Sequence, residues 1–164
     1  MGFELPRMAF YFDKDYSMSK TKQQQIQELI AARDTLWGLL DKLDDNTVIY
    51  PGWKKREFFT HVAGWEAMVF EIFYRHLAHL PQKDYHYVDV DTCNAHYVAV
   101  RQSFTLEDAK LECEINRYAI ITLLEKIEDF SEKIPLPWGE NTVTEFLEGA
   151  VEHERSHASD IAKL

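Results

Sequence analysis

The chain has 164 residues, with 18 Lys and Arg against 28 Asp and Glu, and a formal net charge of −10. That length suits one domain with a single substantial core. The acidic balance repels polyanions, and Lys54-Lys55-Arg56 is the one basic run, so nucleic acid is not an expected partner. No apolar run approaches the roughly 18 residues of a membrane-spanning helix, so no membrane partner is expected. Met1 to Ser19 lacks the basic start, apolar run and cleavage site of a secretory signal. Cys93 and Cys113 form no C-x-x-C pair, and the expectation is a reduced, cytoplasmic protein.

In chain order, apolar periodicity predicts a first helix over about Ser19 to Leu43, striped by Ile26, Leu29, Ile30, Trp37 and Leu40. Pro51-Gly52 turns the chain into a second helix, Lys54 to Leu80, with Phe58, Val62, Trp65, Val69, Ile72 and Phe73 on one face. Pro81 ends it. An irregular stretch from Gln82 to Asp91 leads to a short helix around Thr92 to Ser103. Thr105-x-x-Asp108 caps a helix running to about Phe130, and Thr142-x-x-Glu145 is a capping box for a last helix, Val143 to Ala162. Pro135, Pro137 and Gly139 break the chain between those two, and no alternating run is long enough to predict a strand. Four long amphipathic helices are most simply satisfied by an all-α four-helix bundle. The connection between the second and third long helices is long enough to cross over, carrying the short helix.

Phosphate-cradling glycine motifs and nucleophile elbows are absent. The last helix reads His153-Glu154-Arg155-Ser156-His157, formally H-E-x-x-H. Residues four apart lie one above the other on a helix, so two imidazoles can share a cation. The protease reading fails on its third ligand, because no His follows His157. An upstream ligand is available instead. On helical wheels His157 falls inside the buried arc of the last helix, His153 lies at its edge, and His61 flanks the arc of the second helix. Three histidines facing one interior match a His₃ metal site, but the wheels alone favour core-edge histidines bonded to carbonyls or side chains. His76 and His79 form a rival pair that, with His86 and His96, reads as solvated surface. Glu154 is a candidate general base, though it lies about 100° around from His153, which favours a salt-bridged neighbour over a base. Trp65, Trp53, Tyr97 and Trp138 are candidates for a substrate-pocket wall, with core packing or turn anchoring as the competing role.

The segment Trp53 to Glu66 (W-K-K-R-E-F-F-T-H-V-A-G-W-E) resembles the second-helix signature of DinB-like proteins. Trp138 to Ile161, with its H-x-x-x-H, resembles their final helix. Thr92-Cys93-Asn94 through Thr105 to Ala109 resembles the connecting region of the branch grouped with ClbS/DfsB-type bundles. The resemblance covers residues 19–164, read as a single domain, and leaves residues 1–18 as an N-terminal extension, flexible or contacting a dimer partner. It implies an up-down-down-up four-helix bundle, a homodimer, and a divalent metal ion, zinc or nickel, held by His61, His153 and His157. It further implies a metal-dependent enzyme acting on a small molecule, a small-thiol S-transferase or a hydrolase, with a low-molecular-weight thiol as a possible cofactor. The alternatives are a metal-independent protein that binds or disarms a toxic small molecule, as in ClbS-type relatives, and a non-catalytic dimeric interaction protein.

Overall fold

The computed structural model describes residues 20–83, 89–136 and 138–164. The expected N-terminal extension and His86 lie outside the described residues. Five helices appear in order: α1 (Lys22–Leu40), α2 (Lys55–Leu77), α3 (Val90–Ala99), α4 (Leu106–Lys126) and α5 (Val143–Ile161). Two short strands, β1 (Lys133–Leu136) and β2 (Gly139–Thr142), precede α5. The all-α class with four long helices and a short one in the crossover is the architecture found. Each long helix is shorter than its periodicity suggested, because the polar end residues join caps and turns.

Capping explains where the helices begin. At α1, α4 and α5 a threonine hydroxyl accepts from the N3 backbone N–H, and the N3 side chain accepts from the threonine N–H. Each such hydroxyl contributes about 1 kcal/mol. The pairs at Thr105/Asp108 and Thr142/Glu145 are the ones read from the sequence; Thr21/Gln24 is a third.

The described chain divides into two compact units, one of them Leu43–Glu128 and the other 20–42 with Asp129–Leu164. In the first, α2 and α4 run parallel. Cys113 Sγ donates to the Phe59 carbonyl, Asn116 to the Ala63 carbonyl at 3.2 Å, and Arg117 to Glu66 at 2.6 Å, so both helices advance together. Parallel helices cannot be joined by a tight turn, which is why a long connection containing α3 lies between them. Phe58, Phe59, Ile72, Phe73, Ile120 and Leu124 fill this unit's core. The basic run is engaged locally: Lys55 is buried and pairs with Asp45 at 3.1 Å, Lys54 donates to Asn46, and Arg56 pairs with Glu57.

The second unit pairs α1 with α5, again in parallel. Lys22, the first residue of α1, lies over the Phe130 ring, whose carbonyl accepts from Thr144 in the first turn of α5. Farther along both helices, Arg33 meets Glu154. The up-down-down-up order demands just these two parallel pairings. On α1 the buried arc is Ile26, Leu29, Ala32, Arg33, Leu36 and Leu40. The expected Ile30 and Trp37 sit at its margin, half-buried, and Trp37 lies under the Arg33 guanidinium at 4.1 Å.

The strands correct the expectation of a chain without β structure. β1 and β2 form an antiparallel hairpin closed by the Leu136–Gly139 pair. β1 alternates exposed and buried positions, so that Ile134 and Leu136 enter the core while Pro135 faces outward on an edge, where its missing N–H costs nothing. Gly139 opens β2 at φ 139°, a conformation open to glycine. Four alternating residues among three helix breakers are too short a signal to distinguish from a loop. The carbonyls of Phe130 and Glu132 accept from Thr144 and Val143, satisfying N–H groups at the start of α5.

Candidate metal-binding site

His61 lies on α2 with 1% of its surface exposed. Its environment is built by the preceding turn. Pro51 and Gly52, the latter at φ 82°, fold Tyr50–Trp53 into a tight turn in which Trp53 N–H donates to the Tyr50 carbonyl at 2.8 Å. That turn lays the Trp53 ring 4.9 Å from the His61 ring. One helical turn on, Trp65 meets His61 edge-on at 6.5 Å. The Trp65 indole donates to Asn94 on α3 at 2.7 Å and meets the Tyr97 ring at 5.4 Å. Trp53, Trp65 and Tyr97 therefore form one aromatic chain around His61. Gly64 permits it: a Cβ there would lie 2.3 Å from the Tyr97 ring.

On α5, His153 and His157 are both buried, with their Nε2 atoms 3.0 Å apart and their rings 4.5 Å between centroids. Both Nε2 atoms cannot donate to each other, so at least one presents a lone pair. Burial holds His153 well below the ordinary imidazole range, to about 4, and the nearby Arg33 guanidinium adds to this while Glu154 opposes it. The imidazole is neutral at physiological pH, the form that ligates. The fit is one of donor chemistry: paired imidazole nitrogens excluded from water suit a divalent cation that accepts nitrogen ligands. Together with His61, the pair makes a set of three buried histidines that could hold a metal ion.

Glu154, the candidate general base, is buried in an ion pair with Arg33, with contacts of 2.6 and 3.3 Å to its two oxygens. Its carboxylate points across to α1. Trp138 stands 40% exposed beside β2. His76 is half-buried near the end of α2, and His79 and His96 are exposed. Cys93 and Cys113 are buried and in no disulfide, with the Cys93 thiol pushed up by burial and by Asp89. Between α2 and α3 lies a groove of about 580 Å³, lined among others by Gly64, Met68, Glu71, Cys93, Tyr97 and Arg101.

Sequence reasoning missed the polar groups that hold these helices. Arg33 occupies the centre of the α1 arc at the spacing Ile26, Leu29, Arg33, Leu36, Leu40, yet its charge reads as solvent-facing. Arg117 and Glu66 do the same between α4 and α2. A charged residue at an arc's centre, with an opposite charge at the matching place on another helix, was the available signal.

No family model and no curated protein matches the sequence. Solved structures do match the fold. A protein from Streptococcus pneumoniae superposes with a TM-score of 0.72 at 13% identity, over 90% of this chain and 91% of that one. An uncharacterised protein from Clostridium difficile 630 matches equally well, at 12% identity over 90% and 96%. A mycothiol-dependent maleylpyruvate isomerase matches with a TM-score of 0.69 at 14% identity, over 87% of this chain and 61% of that one. At such identities the likeness establishes the fold alone. The helical architecture expected from the sequence, four long helices with a short one in the crossover, is the fold shared with these structures.

Proposed function

We propose that this chain is a metal-dependent enzyme of DinB-like fold that acts on a small molecule through one divalent ion held by His61, His153 and His157, as a small-thiol S-transferase or a hydrolase. The observation carrying this reading is the set of three buried histidines, two of them with facing Nε2 atoms. A hydrated surface pair would need no such burial. The small-thiol branch draws support from the fold shared with a mycothiol-dependent isomerase.

When bound, the ion supplies Lewis acidity that lowers the pKa of a coordinated water or thiol. The chain's own residues do the positioning. Trp53 and Trp65 flank His61 and restrict its ring, while Arg33 holds the Glu154 carboxylate away from the role of a mobile base. Trp53, Trp65, Tyr97 and Trp138 are the proposed aromatic wall for substrate. The proposed setting is cytoplasmic, where a low-molecular-weight thiol is abundant. Among the described residues no helix is long and apolar enough to cross a membrane.

Elemental analysis of untagged protein, purified without a nickel column, tests this directly. The parent should carry close to one zinc or nickel per chain, and a His153→Ala/His157→Ala variant with unchanged helical circular dichroism should carry none. A parent that is empty and takes up neither added ion would return the histidines to a packing role and favour the metal-independent binding protein.

A further inference from the structure

Asn94 on α3 is 1% exposed, and one half of its side-chain amide has no partner. Its Oδ1 accepts from the Trp65 indole at 2.7 Å. An indole N–H only donates, so the amide oxygen must face Trp65 and the amino group must point elsewhere. Among the described residues no acceptor meets Asn94 Nδ2. A buried donor left unpaired is costly to the folded state, and native proteins seldom keep one without a reason.

The surroundings supply a reason. Cys93 and Tyr97, one position before Asn94 and three after it, line the groove of about 580 Å³ between α2 and α3. Gly64 and Met68, placed the same way about Trp65, line it from the other side. The Trp65–Asn94 bond thus joins the two helices directly behind that lining. A groove of this volume suits a small molecule. Trp65 also meets the His61 ring edge-on at 6.5 Å, so the amide stands one aromatic ring away from a proposed metal ligand. Tyr97 belongs to both places: half-buried, it lines the groove, and its ring meets Trp65 at 5.4 Å.

Charge narrows the occupant. Arg101, at one end of the groove, is held by both oxygens of Glu112 at 2.6 and 2.7 Å. Glu71, at the other, pairs with Arg75 and Lys83. The net charge of −10 further disfavours an anion. An amino group that only donates, beside charges already matched, suits an uncharged acceptor. We propose that Asn94 Nδ2 is the donor that recognises a neutral carbonyl oxygen of a small molecule, admitted from the α2–α3 groove when the Tyr97 ring turns aside. This names the group recognised on the substrate of the enzyme proposed above, and it rests on that reading for what becomes of the bound molecule.

Titration of the untagged full chain with acetamide tests the assignment, followed through the indole N–H signals of its four tryptophans in proton–nitrogen correlation spectra. The Trp65 signal is the one lost in Trp65→Phe. Its N–H is bonded to the Asn94 amide, so it should shift saturably as acetamide binds. Asn94→Asp keeps an oxygen for the indole and loses the donor, and its affinity for acetamide should fall by about tenfold. A parent whose Trp65 signal does not move, a parent that prefers acetate to acetamide, or a folded Asn94→Asp variant that binds acetamide as the parent does would each overturn the proposal. The parent's two titrations decide it even where the variant does not fold. Metal content is measured separately, so a metal-free chain that binds acetamide through Asn94 would remove the metal reading and leave this recognition standing.

Discussion

Burial gives His153 a charge state that free histidine would not keep in mild acid. Its pKa is held at about 4 by desolvation, with Arg33 assisting and Glu154 opposing. In the unfolded chain the imidazole returns to about 6.5. Between those values the unfolded state binds more protons than the folded one, so stability falls as pH falls. The loss begins below about 6.5 and is complete near 4, and this residue alone contributes on the order of 3 kcal/mol. Urea unfolding of chelator-treated protein at pH 7 and pH 4.5 should show the drop, and His153→Gln should flatten it. An equal pH slope in that variant would place the effect elsewhere. The burial that sets this pKa was only partly legible in the sequence. A wheel placed His157 in the arc and left His153 at its edge, because a wheel carries no information about the helix that covers an edge.

At the scale of elements, each unit rests on two parallel helices bridged by a buried Arg–Glu pair. Arg33 and Glu154 join α1 to α5, and Glu66 and Arg117 join α2 to α4. All four stand eleven positions beyond the first residue of their helix. The matching positions put the charges level when parallel helices start at the same end. Removing one member of a buried pair strands the other charge, which typically costs about 3 to 5 kcal/mol, whereas replacing both with apolar residues costs far less. Arg117→Ala should therefore lower the unfolding free energy by about 3 kcal/mol in urea titrations. An Arg117→Met/Glu66→Leu double variant should recover most of the loss. If the double variant were as unstable as the single one, the cost would lie in packing rather than in charge. Helix positions and caps were legible because period and capping are local. The pairs were not, because the partner of Arg117 lies 51 residues away.

For the whole molecule, the proposed ligand set is His61, His153 and His157. An ion that binds only the folded chain stabilises it by mass action, about 2.7 kcal/mol at a free concentration one hundred times its dissociation constant. Zinc or nickel should thus raise the thermal midpoint of the parent over that in chelator, and leave a His61→Ala variant unmoved. A midpoint indifferent to both metals would count against the triad. The sequence by itself determined the helical class, the helix order, the caps at Thr105 and Thr142 and the candidate histidines, because periodicity, capping and residue chemistry act over a few neighbouring positions. Only the tertiary structure decided that Arg33 and Arg117 are core residues, that Ile134 and Leu136 form a strand, and that the two α5 imidazoles are buried and face each other. Those outcomes depend on which surfaces are withdrawn from water when distant segments pack, which a local pattern can signal but does not decide.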